Sequence, residues 1–587
     1  MSIFNVLTMI GGLALFLFGM HIMGDGLTKA SGGKLEKILE KLTSNKIYAV
    51  LLGAGVTAII QSSSATTVMV VGFVNSGLMK LSQAIGVIMG ANIGTTITSW
   101  LLSLIGLEGD NLIVTLCKPE SFTPILALIG VILLMFTKRQ KYQNVGNILL
   151  GFTVLMFGMS TMSGAVEPLA DVPEFANFMI HFKNPILALL VGLILTAIIQ
   201  SSSASVGILQ ALSVTGVVDY RLAIPIIMGQ NIGTCVTALL SSVGASTNGK
   251  RAAVVHLYIK ILGTTSFLLL FYLLNMFLHF DFLDQPANAI GIAVIHSVYN
   301  IFATCILLPL SKGLEKLSCL TIRDKAEETV VVAPEFQALD VRFLDTPAIA
   351  VARCKEVAVK MAELSRKALF QAMDLLKHFD KDKAEQVCEI ESIVDQYEDE
   401  LGKYLVKLSS KSLTEQDSHT ISMLLHCIGD FERISDHAVN ICDSAREMYT
   451  KEQEFSKKAQ EEISIFSGLI REIVDTSVRV FETEDLQLAK DVEPMEEVVD
   501  GLNDEIKKRH IKRLRKGKCT IELGFALSDI TTNYERVADH CSNIAISLIQ
   551  IPDDVYGSHD YVEHLEKGED SQYHEALVKY TEKYMLP

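Results

Sequence analysis

The nine-residue string TAIIQSSSA occupies residues 57–65 and returns at 196–204, 139 positions later. Both copies lie inside long apolar segments. A glutamine and three serines in a row are costly in hydrocarbon unless they line a cavity or meet partners. Ser and Gln also compete with the backbone for hydrogen bonds and help interrupt helices. Each copy therefore reads as a helix break at membrane depth. A broken helix offers N–H groups at one end and C=O groups at the other, which suit an anion and a small cation respectively.

The repeat extends beyond the serines. Phe18, Gly19 and Met20 map onto Phe157, Gly158 and Met159, and IMGANIGT (88–95) onto IMGQNIGT (227–234), at the same offset of 139. One register held over so long a stretch marks an internal duplication, about 1–139 and 140–278. Mean hydropathy is +0.35, but it is unevenly spread. Residues 1–315 form a series of apolar segments joined by short polar loops. Residues 316–345 read as a linker, 346–550 as a Lys-, Glu- and Asp-rich helical bundle, and 551–587 as a tail ending it. The chain thus divides into a membrane half, embedded in the lipid bilayer, and a soluble half. The net charge of −16 and the lack of a basic stripe with interleaved aromatics exclude a nucleic-acid partner. The ten cysteines form no CxxC pair and read as reduced structural thiols. The apolar N-terminus lacks a basic leader and reads as a retained first span.

Loop charges orient the spans. Lys29, Lys34, Lys37, Lys41 and Lys46 place the 29–46 loop in the cytoplasm, whereas 107–121 is acidic. Lys138, Arg139 and Lys141 lie inside; Glu167, Asp171 and Glu174 lie outside; Lys250 and Arg251 lie inside. Shifted by 139, the inside loop at 29–46 falls on the outside loop at 166–183, so the two copies have inverted topology. Full crossings are expected at about 3–28, 82–106, 122–137, 144–165, 222–245, 252–278 and 287–310, the last following the two repeats. Residues 47–80 and 184–221 are expected to be re-entrant hairpins entering from opposite faces, with their QSSS tips meeting near the midplane. The expected fold is all-α: a polytopic membrane domain of two inverted repeats with re-entrant hairpins, followed by a cytoplasmic helical bundle.

No charged residue lies between Lys46 and Lys80, or from Leu81 to Leu107. Hydroxyls, amides and helix ends must therefore hold the ligands, which suits an anion entering with cations. Na⁺ is a hard cation that takes hydroxyl, amide and carbonyl oxygens; Gln61, Gln200, Asn92, Asn231, Thr95 and Thr234 supply them. Ser62, Ser63 and Ser64, with Ser201, Ser202 and Ser203, can donate to an oxyanion. The plainer reading of such residues is close helix packing; duplication in register on inverted halves favours a site.

Paired QSSS motifs, each followed by G-x-N-I-G-T, resemble the type II sodium/phosphate cotransporters and their bacterial relatives, over about residues 1–315. The resemblance implies coupled movement of Na⁺ and inorganic phosphate through a site containing both QSSS motifs. That family carries H-x-x-F-N in later helices. His296, Tyr299 and Asn300 match it with a conservative change, while the earlier HLYIK places Lys260 where Asn is expected. Lys260 is expected to snorkel to the cytoplasmic face; the alternative is that it alters coupling near the site.

The soluble half is also duplicated: ERISDHAVNI (432–441) returns as ERVADHCSNI (535–544), and IVD at 393–395 echoes VVD at 498–500. Two hairpins or three-helix units packed as one bundle follow. Glu432 with Asp436, and Glu535 with Asp539, lie one helical turn apart, and Asp395 and Asp500 on preceding helices complete candidate carboxylate sites. On a lone helix such pairs are ordinarily a solvated face. These motifs resemble PhoU, the helical regulator of bacterial phosphate uptake, whose E-x-x-x-D repeats bind metal clusters. The resemblance makes Glu432, Asp436, Glu535 and Asp539 candidate ligands of a divalent or iron-type metal, and makes the bundle a surface for homo-oligomerisation or a regulatory partner. The whole reads as a multi-pass transporter of a bacterial plasma (inner) membrane with its C-terminal domain in the cytoplasm. The alternatives are a phosphate sensor or scaffold without net transport, and a sodium-coupled carrier of another tetrahedral oxyanion. No P-loop, nucleophile–base pair or aspartyl-phosphate pattern supports an enzyme.

Overall fold

The computed structural model describes residues 3–31, 45–106, 118–137, 139–172, 184–323, 336, 338–549 and 571–587. Contacts divide the chain into two units, Met1–Val332 and Ala333–Pro587. Among the described residues both are built of helices, and the one bridge between extended residues pairs Asp219 with Pro286.

In the first unit the helices are α1 (Ile3–Ser31), α2 (Lys46–Ile60), α3 (Ser63–Asn75), α4 (Leu81–Ser103), α5 (Pro119–Phe136), α6 (Gln140–Val166), α7 (Pro185–Ile199), α8 (Ser202–Ser213), α9 (Tyr220–Gly233), α10 (Cys235–Ser241), α11 (Thr247–Leu278), α12 (Ala289–Leu307) and α13 (Ser311–Thr321). Among the described residues, seven stretches are long and apolar enough to cross a membrane: Ile3–Ala30, Leu81–Ser103, Pro119–Phe136, Gln140–Ala170, Tyr220–Ser241, Thr247–Leu278 and Ala289–Leu307. They fall on the seven expected crossings, and the unit is a multi-pass membrane domain. Large apolar side chains such as Leu269, Met276 and Phe277 stay exposed on the protein surface, the outcome expected where lipid replaces water as solvent.

The short helices fall where the polar breaks lie. At 15 residues, α2 and α7 each span about 22 Å, short of the roughly 30 Å hydrocarbon layer. Across the first break the Thr57 hydroxyl donates to that of Thr66 at 3.0 Å. On an unbroken helix those residues would stand about 13 Å apart along the axis. The contact requires α3 to fold back beside α2 as a helical hairpin.

Packing repeats at the 139-residue offset. A Cβ on Gly90 would lie 2.0 Å from the Val50 carbonyl oxygen, and one on Gly229 1.8 Å from that of Leu189. Only glycine lets α4 reach α2, and α9 reach α7, at this distance. The copies differ at the NIGT segment. α4 runs unbroken to Ser103, whereas its counterpart stops at Gly233 and restarts at Cys235. The first eleven residues after Leu310 form α13, so helix continues into the stretch read as linker.

The second unit consists of α14 (Pro347–Leu375), α15 (Lys381–Ser409), α16 (Glu415–Thr450), α17 (Lys457–Thr483), the single turn α18 (Leu486–Ala489), α19 (Val492–Arg515), α20 (Ile521–Ile549) and α21 (Ser571–Lys583). Two three-helix units, α14–α16 and α17 with α19 and α20, share a core in which Phe431 meets Phe481 edge-on at 5.0 Å and Phe466 meets Tyr534 at 5.2 Å. At the seam the duplicated DH histidines approach with ring centroids 5.6 Å apart. His437 Nδ1 lies 2.8 Å from Asn533 Oδ1, and His540 Nδ1 2.9 Å from Asp430 Oδ1. The cysteines among the described residues are free. Burial pushes the thiols of Cys354 and Cys541 up to about 12, which keeps them protonated and structural. α21, in the region read as tail, docks through Lys583, whose ammonium donates to Glu472 at 2.7 Å.

Candidate functional site

Both QSSS segments adopt one backbone geometry. Gln61 ends α2 in the left-handed region at φ 58°, ψ 20°, and Gln200 ends α7 at φ 58°, ψ 18°. Each glutamine N–H closes the helix before it, onto Thr57 O at 2.8 Å and Thr196 O at 2.7 Å. A non-glycine residue at positive φ is strained and usually marks a functional or tightly held position. The next serine caps the following helix: Ser62 Oγ accepts from Ala65 N at 3.1 Å and Ser201 Oγ from Ala204 N at 3.2 Å. The first N–H groups of α3 and α8 are therefore aimed out of the break, where an anion is favoured by the unpaired donors and the helix dipole.

Within each copy the fold joins QSSS to NIGT. Gly94 sits against Thr57 and Gly233 against Thr196, where a Cβ would come within 2.8 Å and 2.7 Å of the threonine Cβ. Gln61 is buried; its Nε2 donates to Ala58 O and its Oε1 accepts from Thr98 Oγ1 at 2.8 Å. Gln200 is exposed. Thr95 donates to Ala91 O at 3.0 Å and Thr234 to Asn231 O at 2.6 Å. Ser202 and Ser203 are buried, while Ser63 and Ser64 are half-buried. Among the described residues no hydrogen bond joins one QSSS break to the other. The copies are tied through deeper residues instead. Gln210 donates to Ser99 O at 3.1 Å and to Ala289 O at 2.9 Å, and the Ser99 hydroxyl lies 2.9 Å from His296 Nδ1.

Lys260 does not snorkel. It is 4 % exposed, and its ammonium donates to Asn231 Oδ1 at 2.9 Å. The residue lies fourteenth of the 32 in α11, too far from either end for its stem to reach the helix terminus.

In the second unit the carboxylates gather on matching faces. Burial, and then Asp436, push the Glu391 and Glu432 carboxyls above the usual range, with Arg433 opposing at Glu432. In the second three-helix unit Glu496 rises to about 8 through burial and the charges of Asp500, Glu493 and Asp539. Asp500 and Asp539 are raised as well, chiefly by burial. The four expected ligands are held by neighbours: Glu432 and Asp436 face Arg433 at 3.4 and 3.2 Å, Asp539 faces Arg536 at 3.4 Å, and Glu535 accepts from Asn503 at 2.5 Å. Among the described residues no three His, Cys, Asp or Glu side chains converge in a metal-holding arrangement.

Residues 15–164 and 172–296 match the Na⁺/Pi-cotransporter family, and 358–445 and 463–548 match the PhoU domain. The chain belongs to the Na⁺/Pi-cotransporter family and carries a PhoU domain. YjbB of Escherichia coli (strain K12), whose name proposes inorganic phosphate export, is 22 % identical over 560 residues, 95 % of this chain and all of that one. The uncharacterized YqeW of Bacillus subtilis (strain 168) is 32 % identical over 313 residues, covering 53 % of this chain and 96 % of its own. The sodium-dependent phosphate transport protein 2A of Rattus norvegicus is 36 % identical over 106 residues, covering 18 % of this chain and 16 % of its own.

Sequence reasoning passed over several polar residues of this cotransporter-family domain. Thr98, Ser99 and Gln210 lie in apolar helices, and each is 1 % exposed or less. Their signal was available: a polar side chain in a membrane helix faces the protein interior by default.

Proposed function

We propose that the protein is a sodium-coupled secondary transporter of inorganic phosphate. The observation that carries this reading is the pair of QSSS breaks with matching left-handed glutamines and serine caps, in a chain of the Na⁺/Pi-cotransporter family. Inorganic phosphate lies at the N-terminal ends of α3 and α8, on the Ser62–Ser64 and Ser201–Ser203 groups. Na⁺ lies on oxygens of Gln61, Asn92, Thr95 and their counterparts Gln200, Asn231 and Thr234. The two copies are inverted in the membrane, so the hairpins enter from opposite faces and the site is exposed to each side in turn. The membrane is a bacterial inner membrane and the PhoU domain is cytoplasmic.

The PhoU domain is proposed to regulate transport. Its raised carboxyls repel one another, and carboxylate oxygens suit a hard divalent or iron-type cation. Glu432, Asp436, Glu535 and Asp539 would hold it, and the cation would supply the positive charge that the clustered acids lack.

The test is labelled-phosphate flux in proteoliposomes with Na⁺ gradients of either direction. Flux that follows the Na⁺ gradient and vanishes in Gln61→Ala is the expected result. Gradient-independent flux would refute sodium coupling, and phosphate binding without flux would favour a sensor.

A further inference from the structure

The two copies treat one position differently. Asn92 and Asn231 correspond at the 139-residue offset, and both are buried. The Asn92 amide makes no hydrogen bond within the protein among the described residues. Asn231 donates to Ile227 O at 3.0 Å and accepts from the Lys260 ammonium at 2.9 Å. Against the first copy, where Ser99 meets His296, the matching H-x-x-Y-N motif carries the neutral Asn300 at the position that Lys260 holds in HLYIK. One copy thus presents a buried amide oxygen to whatever cation arrives, while the other presents the same oxygen to a cation already tethered to the chain.

Nothing else nearby balances that charge. Lys260 and Arg251 are the buried charged side chains of this unit among the described residues. Arg251 lies in the first turns of α11 and donates to Ile322 O at 3.0 Å. No carboxylate pairs with Lys260 among the described residues; its bonded partner is a neutral amide. A buried ammonium without a counter-charge is strongly disfavoured, and an anion bound close by relieves the penalty. The surroundings also hold unused hydrogen-bonding capacity. Thr196 Oγ1, Ser205 Oγ, Gln230 Oε1 and His256 Nδ1 are buried and have no hydrogen-bond partner among the described residues. In the first copy the residues matching Thr196 and Ser205 satisfy each other, as Thr57 and Thr66.

We propose that the Lys260 ammonium is a built-in cation of the transport site, taking the place against Asn231 that a mobile Na⁺ would hold and lowering by one the Na⁺ accompanying each anion. An amide oxygen accepts a primary ammonium or coordinates Na⁺ with the same lone pairs, so the substitution needs no other change in the site. The inference rests on the phosphate-transport reading above. It makes Lys260 the residue that sets coupling stoichiometry.

The experiment uses full-length protein, purified, monodisperse and reconstituted, as wild type, Lys260→Asn, Lys260→Met and Lys260→Arg. Labelled inorganic phosphate uptake is measured against Na⁺ concentration at clamped voltage. Lys260→Arg is expected to keep the wild-type Na⁺ dependence. Lys260→Asn is expected to raise the Hill slope for Na⁺ by about one and to weaken apparent phosphate affinity at limiting Na⁺ by roughly tenfold, with recovery at saturating Na⁺. Wild-type behaviour in both neutral variants would overturn the proposal. So would loss of flux in Lys260→Asn and Lys260→Met that saturating Na⁺ fails to restore, or equal loss in all three folded variants, which would mark a packing role. A wild-type protein that neither binds nor moves phosphate would refute the underlying reading, and it is recognised before any variant is compared.

Discussion

Gln61 and Gln200 share a backbone conformation but not an environment: the first is buried and anchored to Thr98, the second exposed. Gln61→Ala, Ser62→Ala and Ser201→Ala are each expected to reduce phosphate flux by tenfold or more while membrane insertion persists. Loss of a serine cap costs about 1 kcal/mol, so a folded protein with no flux is the informative outcome. Normal uptake by all three would remove QSSS from the site. Residue identity announced these positions, because four polar side chains in hydrocarbon need a reason. Lys260 was misjudged for a physical cause. Snorkelling depends on a residue's depth and facing, and neither is written in a linear sequence; the contact with Asn231 decided it.

At the scale of elements, the close approach of α2 to α4 depends on a missing side chain. Gly90→Ala would drive a Cβ to 2.0 Å from Val50 O. It is expected to cost roughly 1–3 kcal/mol, read as a lower thermal midpoint in detergent. Gly55→Ala, whose Cβ would meet nothing within 4 Å, is the control and should be close to neutral. In the PhoU domain, Glu496 titrates near 8 rather than at 4.5. Its folded-state affinity for a proton exceeds its unfolded one, so the stability it contributes is full below about 4.5 and lost as pH rises through about 8. Hydrogen-exchange protection of α19, corrected for intrinsic rates, is expected to fall between about pH 5 and pH 8. Glu496→Gln should flatten that fall, and an unchanged profile in the variant would assign it to other groups. Helix existence was legible in the apolar runs and heptad-like spacings. The break at Thr234 was not, because NIGT stands in both copies and only the second interrupts its helix.

For the whole molecule, two compact units divide near Val332, and the family matches divide likewise. Deleting Thr346–Pro587 is therefore expected to leave measurable phosphate flux, assayed in the same proteoliposomes. Complete loss from a correctly inserted truncation would make the PhoU domain part of the transport machine. The sequence alone determined the division into an apolar membrane half and a charged helical half, the duplication of each, and the placement of the two QSSS breaks. These follow from hydropathy, register and backbone chemistry, which are local or periodic properties of the chain. The tertiary structure decided which oxygen each polar side chain meets: Gln61 on Thr98, Gln210 on Ser99, and Lys260 on Asn231. Such pairings join residues 29 to 111 positions apart and depend on how helices cross, so no local pattern encodes them.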